Sequence, residues 1–495
     1  MRGGVGRCRW LAGGVAALFA LAAIAVSLAW QRIFDSVLAS QLALVPGSRS
    51  YVSWEAPAVP LRFDIYLFNW TNADHFPEET PHVEQLGPYS FREERRHVNV
   101  TVNPETDSLS YRTFRSYSFD PEASNGTLED NVTTLNPIAS AAIYKARESG
   151  YIQQKTLGMG LAMFGQQMAV SKPARELMFE GYDDLMLEFA KTLPDSATGG
   201  APKIDRFGWF YQRNNSIDSD GFMEVTLGSR GGSLPGQILN WNTEENLPYY
   251  SGQCAELAGS VGEFLPRDLT PSSRLTMFMA DLCRTLHLRY SGSGELQGLQ
   301  YHTYEVNRDV FDAGSKENEC FCNGACAWGG VMNVSACRYG APSFITLPHF
   351  LYADEELREL VTGLQPDEEK HSFYFSVEPK LGIPLDVAAR FQLNIYMEPT
   401  PNIALYENVP RLLFPVLWVE QRVTIDDTVL AELRFVRAVL DWGAIFSAGV
   451  ALVLAAIVAL TTCTNICLKK PKYLPPADLL FERPKDEAEM KLNPM

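Results

Sequence analysis

The chain has 495 residues, 46% apolar and 20% charged, a composition that excludes a disordered or low-complexity polypeptide. Its formal charge of −17 argues against nucleic acid as a partner and supports solubility. A chain of this length would ordinarily form two or three soluble domains, but the average conceals two long apolar runs.

The first run follows an N-terminal end, residues 1–10, that carries Arg2, Arg7 and Arg9. Leu11 to Trp30 is twenty residues without a charge, enough to cross about 30 Å of hydrocarbon as a helix. A cleaved signal peptide is the competing reading, and the run is longer than the about 7–15 residues of a signal apolar segment. The second run, Trp442 to Cys463, is twenty-two uncharged residues, and Lys469, Lys470 and Lys472 follow it in the tail, residues 464–495. Cations flanking the outer ends of both runs place both termini in the cytosol and residues 31–441 outside. Six Asn-x-Ser/Thr acceptors, Asn69, Asn99, Asn125, Asn131, Asn214 and Asn333, all lie between the runs, which supports a glycosylated exterior.

Along that exterior, Phe63, Ile65 and Leu67 alternate at period two, as on a strand. Gly87-Pro88-Tyr89 reads as a turn before a second strand over Val98, Val100 and Val102. From Asn136-Pro137 to about Leu193 the composition turns to Ala, Met, Leu, Gln and Lys, which favours helices over about 138–193. Within it Leu157, Met159, Leu161, Met163, Phe164 and Met168 crowd a segment broken by glycines. They form either an ordinary buried helix pair or a malleable apolar docking surface. Strand alternation returns over Phe373, Phe375 and Val377, and over Phe391, Leu393 and Ile395. Early and late strands joining one antiparallel sheet around central helices predict a single large α+β exterior domain.

Six of the nine cysteines, Cys254, Cys283, Cys320, Cys322, Cys326 and Cys337, lie in the exterior. A Cys-x-Cys pair with no nearby His does not match the usual zinc spacing, and an oxidising compartment favours three disulfides over a metal site. Cys8, Cys463 and Cys467 sit at the cytosolic membrane edge, where S-palmitoylation and an inert, lipid-facing thiol are the two readings. No Gly-x-Ser-x-Gly, phosphate loop or His-Glu-x-x-His motif occurs, and the seven histidines are scattered, so no enzyme, metal or cofactor is expected.

A set of motifs spans nearly the whole chain: Gly87-Pro-Tyr-Ser-Phe-Arg92, Arg175-Glu-Leu177 with Gly181-Tyr182, the Cys320 to Cys337 cluster, Leu347-Pro-His-Phe-Leu-Tyr-Ala353, Gly363-Leu-Gln-Pro366 and Pro415-Val-Leu-Trp418. Their order and spacing, with the two runs, resemble the class B scavenger receptor family. That family includes a fatty acid translocase, a high-density-lipoprotein receptor, a lysosomal integral membrane protein and insect sensory neuron membrane proteins. The resemblance implies an ectodomain with an antiparallel β-barrel core, a membrane-distal apical helical bundle and an apolar tunnel, anchored by two transmembrane helices. It implies disulfides pairing Cys254 with Cys320, Cys283 with Cys337, and Cys322 with Cys326.

The resemblance further implies lipids, lipoprotein particles or lipid-carrier proteins as partners, with a homo-oligomer also open. Leu161, Met163, Phe164, Met168, Lys145 and Lys155 are the expected docking residues of the helical bundle. Some members place lysines where this chain reads Met163-Phe-Gly-Gln-Gln-Met168, which weighs against oxidised anionic lipoprotein as the ligand. The expected function is a plasma-membrane receptor that binds lipid or lipoprotein and lets fatty acid or sterol-like lipid pass without an energy source. The alternative is a sorting receptor for a protein ligand in the endolysosomal pathway, but no acidic residue stands four positions before Leu479-Leu480, so the tail gives it no support. A ligand-gated channel is disfavoured because the second run offers only Ser447, Thr461 and Thr462 as polar lining.

Overall fold

A computed structural model describes residues 2–468, apart from 58–60, 199, 231–232, 313 and 323–327. The chain divides into two compact units, residues 1–34 with 436–495, and Asp35–Phe435. Nine α-helices occur among the described residues. They are α1 (Arg2–Leu42), α2 (Arg49–Glu55), α3 (Pro137–Ala146), α4 (Tyr151–Met163), α5 (Leu185–Thr192), α6 (Asp195–Thr198), α7 (Glu356–Leu360), α8 (Glu368–His371) and α9 (Asp427–Leu468).

The first unit takes in most of α1 and of α9, which are long and apolar enough to cross a membrane, over Gly13–Leu42 and Asp427–Thr461. The helices extend past both apolar runs, because the flanking polar residues continue the same backbone hydrogen-bonding. Gly443 packs directly on the Trp30 ring, and Ala23 and Ala455 are buried, so small side chains let the two helices approach closely.

The second unit is α+β. Its early strands are β1 (Leu61–Trp70), β2 (Val83–Asn103), β3 (Ser108–Phe119), β4 (Asn131–Leu135) and β5 (Ala169–Pro173). Middle strands are β6 (Tyr182–Asp183), β7 (Arg206–Phe207), β8 (Phe222–Thr226), β9 (Ile238–Trp241), β10 (Arg274–Met279), β11 (Arg284–Leu296) and β12 (Leu299–Glu305). Late strands are β13 (Met332–Asn333), β14 (Ser343–Thr346), β15 (Tyr374–Glu378), β16 (Ile383–Met397) and β17 (Leu412–Thr424). Thirteen of them form one sheet along the order β10-β11-β12-β15-β16-β17-β1-β2-β3-β8-β9, with β13 and β14 branching from β16. Early and late strands meet at the antiparallel β1–β17 pair, with Ile65 opposite Val419. The two ends of the path approach each other through Ser260, which bridges Gln237 beside β9 and Met277 of β10, so the sheet is a nearly closed barrel.

Two sequence expectations change in detail. Gly87-Pro88 is not a turn between strands but lies inside β2, where the β1–β2 register shifts between Ile65 and Leu67. Gly87 has φ +106°, and a Cβ there would stand 2.8 Å from the Ile65 carbonyl oxygen, so the bulge needs glycine. The region 138–193 is not wholly helical either. Ala169–Pro173 forms β5, which pairs antiparallel with β4, and Glu176–Glu180 forms one π-helical turn.

Candidate docking surface and the residues that hold it

The helices α3, α4 and α5 are fixed by short polar side chains at their ends. Asn136 caps α3, its Oδ1 accepting from the N–H groups of Ile138 and Ala139 at 3.1 Å, with Pro137 at the first helical position. Its Nδ2 donates to Gln166 Oε1 at 2.8 Å, and Gln166 Nε2 donates to the Asp184 carboxylate at 3.1 Å. Asp184 in turn caps α5 by accepting from Met186 N at 2.7 Å. Thus Gln166 braces two helix N-termini. Gln154, buried within α4, donates to the C-terminal carbonyls of α3 at Ala146 and Arg147, 3.1 and 2.9 Å away, and accepts from Asn402 Nδ2 at 2.7 Å.

That anchoring orients α4. Gln154 and Leu161 lie on one side and are buried, while Ile152, Met159 and Met163 fall on the opposite side by helical spacing and are 78%, 67% and 77% exposed. Tyr151 is exposed beside them. On α5, Leu185 and Phe189 are exposed one turn apart, and the Phe189 ring lies 5.5 Å from that of Phe164. Water covers apolar side chains on both helices, an arrangement that marks an interaction surface when the residues are contiguous.

Of the expected docking residues, Met163 and Lys155 are exposed, Phe164 and Met168 are half-buried against the core, and Leu161 is inside it. Lys145 donates to the Thr198 carbonyl, and burial pushes its ammonium down from the ordinary lysine value. Arg147 pairs with Glu398 at 3.3 Å and Glu148 at 2.9 Å and covers the Tyr144 ring, and Lys172 lies over the Tyr182 ring at 4.9 Å. Lys155 sits 5.8 Å over the Tyr151 ring. The surface is therefore apolar with one exposed cation on α4, rather than a basic patch. Ile152, Leu185 and Phe189 were not singled out from the sequence, since an apolar side chain in a helix gives no sign of which way it faces.

The motif residues serve the barrel. His349, with φ +55°, is buried and gives its backbone N–H to Gln392 Oε1 at 2.6 Å. Its Nδ1 accepts from Gln365 N at 3.0 Å and its Nε2 meets Gln85 Oε1 at 2.7 Å, an atom that also accepts from Trp418 Nε1 at 2.7 Å. The imidazole is therefore neutral, with its proton on Nε2. His371 stacks on it at 4.4 Å. Burial first, and then the neighbouring His371, push His349 down to about 3; burial pushes His371 down to about 4, with Asp367 opposing and Arg390 and Lys370 adding to the shift.

Cys254 is bonded to Cys320 and Cys283 to Cys337, with Cα atoms 5.8 and 6.4 Å apart. Cys326 lies outside the described residues, as do the side chains of Cys8, Cys463 and Cys467. Among the glycan acceptors Asn99, Asn125, Asn131 and Asn214 are exposed and Asn69 is half-buried, while Asn333 is 7% exposed and donates to the Cys322 carbonyl. Among the described residues no group of three or more His, Cys, Asp or Glu side chains could hold a metal ion.

A family model described as the CD36 family matches residues 11–465. Protein peste of Drosophila melanogaster is 34% identical over 458 residues, 90% of this chain and 80% of the fly protein. Scavenger receptor class B member 1 of Cricetulus griseus is 32% identical, covering 85% of this chain and 82% of its own. Lysosome membrane protein 2 of Homo sapiens is 29% identical, over 87% and 89% of the two chains.

Proposed function

The chain belongs to the CD36 family, and from that membership we propose that it is a two-span cell-surface receptor for lipid or lipoprotein ligands. Its ectodomain would receive ligand at the α4–α5 surface and let fatty acid or sterol-like lipid pass through an apolar path without an energy source. The exposed stripe Ile152, Met159 and Met163 carries this reading. Methionine side chains adapt to irregular apolar partners, and each CH₂ that leaves water for such a surface gains about 0.8 kcal/mol. Lipid tails, lipoprotein surfaces and lipid carriers all offer that chemistry.

A sorting receptor for a protein ligand would use the same exposed side chains, so the ligand class has to be measured. Full-length protein purified from its own cells should carry a characteristic set of co-purifying lipids by untargeted lipid mass spectrometry. Lipids matching the surrounding membrane alone, together with stoichiometric recovery of one soluble protein, would replace the lipid reading with the sorting one.

A further inference from the structure

Away from the helical surface, a cavity of about 250 Å³ opens beside the Cys254–Cys320 disulfide, between β11 and the residues Asp309, Val310, Glu317, Asn318 and Phe321. Arg284 lines it. The residue follows Cys283, whose bond to Cys337 holds the start of β11, and it is only 3% exposed. One guanidinium nitrogen, NH2, donates to Asn318 Oδ1 at 2.9 Å. The Asn318 amide is itself fixed, its Nδ2 donating to the carbonyls of Asp309 and Asp312 at 3.0 Å each. Phe321 covers one face of the guanidinium, 3.6 Å from ring centroid to Cζ. Nε is buried with no hydrogen-bond partner.

Among the described residues no carboxylate pairs with this cation. The carboxylates lining the cavity belong to Glu256, Asp309 and Glu317, and the last two sit 3.6 Å from Arg289 and Arg274. Those arginines and acids are exposed at the rim, whereas Arg284 is the buried charge. Burial pushes its guanidinium down to about 9, still cationic at neutral pH. A buried cation with an unfilled donor edge, stacked on one face and steered by a fixed amide, is stable only with a counter-charge. The guanidinium fork matches a planar carboxylate better than a point charge does.

We propose that this cavity binds a small carboxylate, drawn by the buried guanidinium of Arg284 that lines it. The site is separate from the helical docking surface and does not depend on lipid transfer. The carboxylate is that of a free small acid or of a fatty acid head group, and the two arms of the test distinguish them.

The test uses full-length protein in nanodiscs, with thermal unfolding followed against sodium acetate and, separately, sodium decanoate, at ionic strength held constant with chloride. A saturable rise in melting temperature is expected with acetate. Arg284→Lys, which keeps the charge but not the fork, should weaken the apparent affinity about tenfold, and Phe321→Leu, which leaves β11 intact, should weaken it several-fold. Saturation by decanoate at far lower concentration than acetate would identify a lipid head group, and equal affinities a free small acid. No saturable rise with either anion, or a rise identical in wild type and both variants, would overturn the proposal.

Discussion

At the scale of single residues, buried polar groups decide how the ectodomain responds to pH. In the folded state His349 and His371 titrate at about 3 and about 4, below the ordinary histidine value of about 6.5. Protonating His349 on Nδ1 would set an N–H against the Gln365 N–H. Because the folded values are depressed, the unfolded chain takes up protons first as pH falls below about 6.5. The stability present above that pH is lost progressively towards pH 3–4, about 2 kcal/mol per ring by pH 5. His371→Gln keeps an acceptor for the Asp367 N–H, so its melting temperature should fall less between pH 7 and pH 5 than that of the wild type. Equal falls would contradict this. Glu93 behaves differently. Burial pushes its carboxyl up, but Arg95 and Arg115 at 2.8 and 2.7 Å hold it below the usual range, so its contribution is full above about pH 4.5 and is lost below. Gly363 was legible as a motif but not as a constraint. With φ +94° it lies against the Val83 carbonyl, and Gly363→Ala should cost about 2–4 kcal/mol, seen as a lower melting temperature and less protein at the surface.

At the scale of elements, the strands were legible because period-two alternation survives in β1, β15 and β16, and the N-terminus of α3 because Asn136-Pro137 is a cap with proline behind it. The direction of α4 was not. Its apolar residues occur on both sides, Leu161 inward and Ile152, Met159 and Met163 outward, so periodicity could not choose a face. The choice is made by Gln154 and Gln166, whose hydrogen bonds reach other helices and leave no local trace in the sequence. Gly87 misled for a related reason, since a bulge and a turn ask for the same residue. Because Phe164 is packed against Phe189, Met163→Glu is the cleaner probe of docking. It should leave surface expression unchanged, since the side chain touches mostly water, and reduce binding of an apolar ligand, which would have to desolvate the new charge. Cys283→Ser should do the reverse. Loss of its bond to Cys337 removes typically about 2–4 kcal/mol and lowers delivery to the surface, with binding per delivered molecule little changed.

At the scale of the whole molecule, two helices long and apolar enough to cross a membrane, with a disulfide-bonded, nearly closed barrel in the sequence that separates them, fit the proposed two-span receptor, whose recognition would then lie on one side of the membrane. Tags at both termini should be unreactive on intact cells, and glycosidase should lower the apparent mass, with Asn99, Asn125, Asn131 and Asn214 the exposed acceptors. An N-terminal tag detected outside would contradict that topology. The proposed function has lipid pass through the protein without an energy source. It is tested most directly by uptake of labelled fatty acid and sterol ester into cells displaying the protein, normalised to surface protein and repeated after ATP depletion. Wild type should raise uptake above that of cells lacking the protein with ATP present or depleted, and Met163→Glu should lose most of the gain at equal surface level. Uptake by wild type no greater than that of cells lacking the protein, for both lipid classes, would contradict the account.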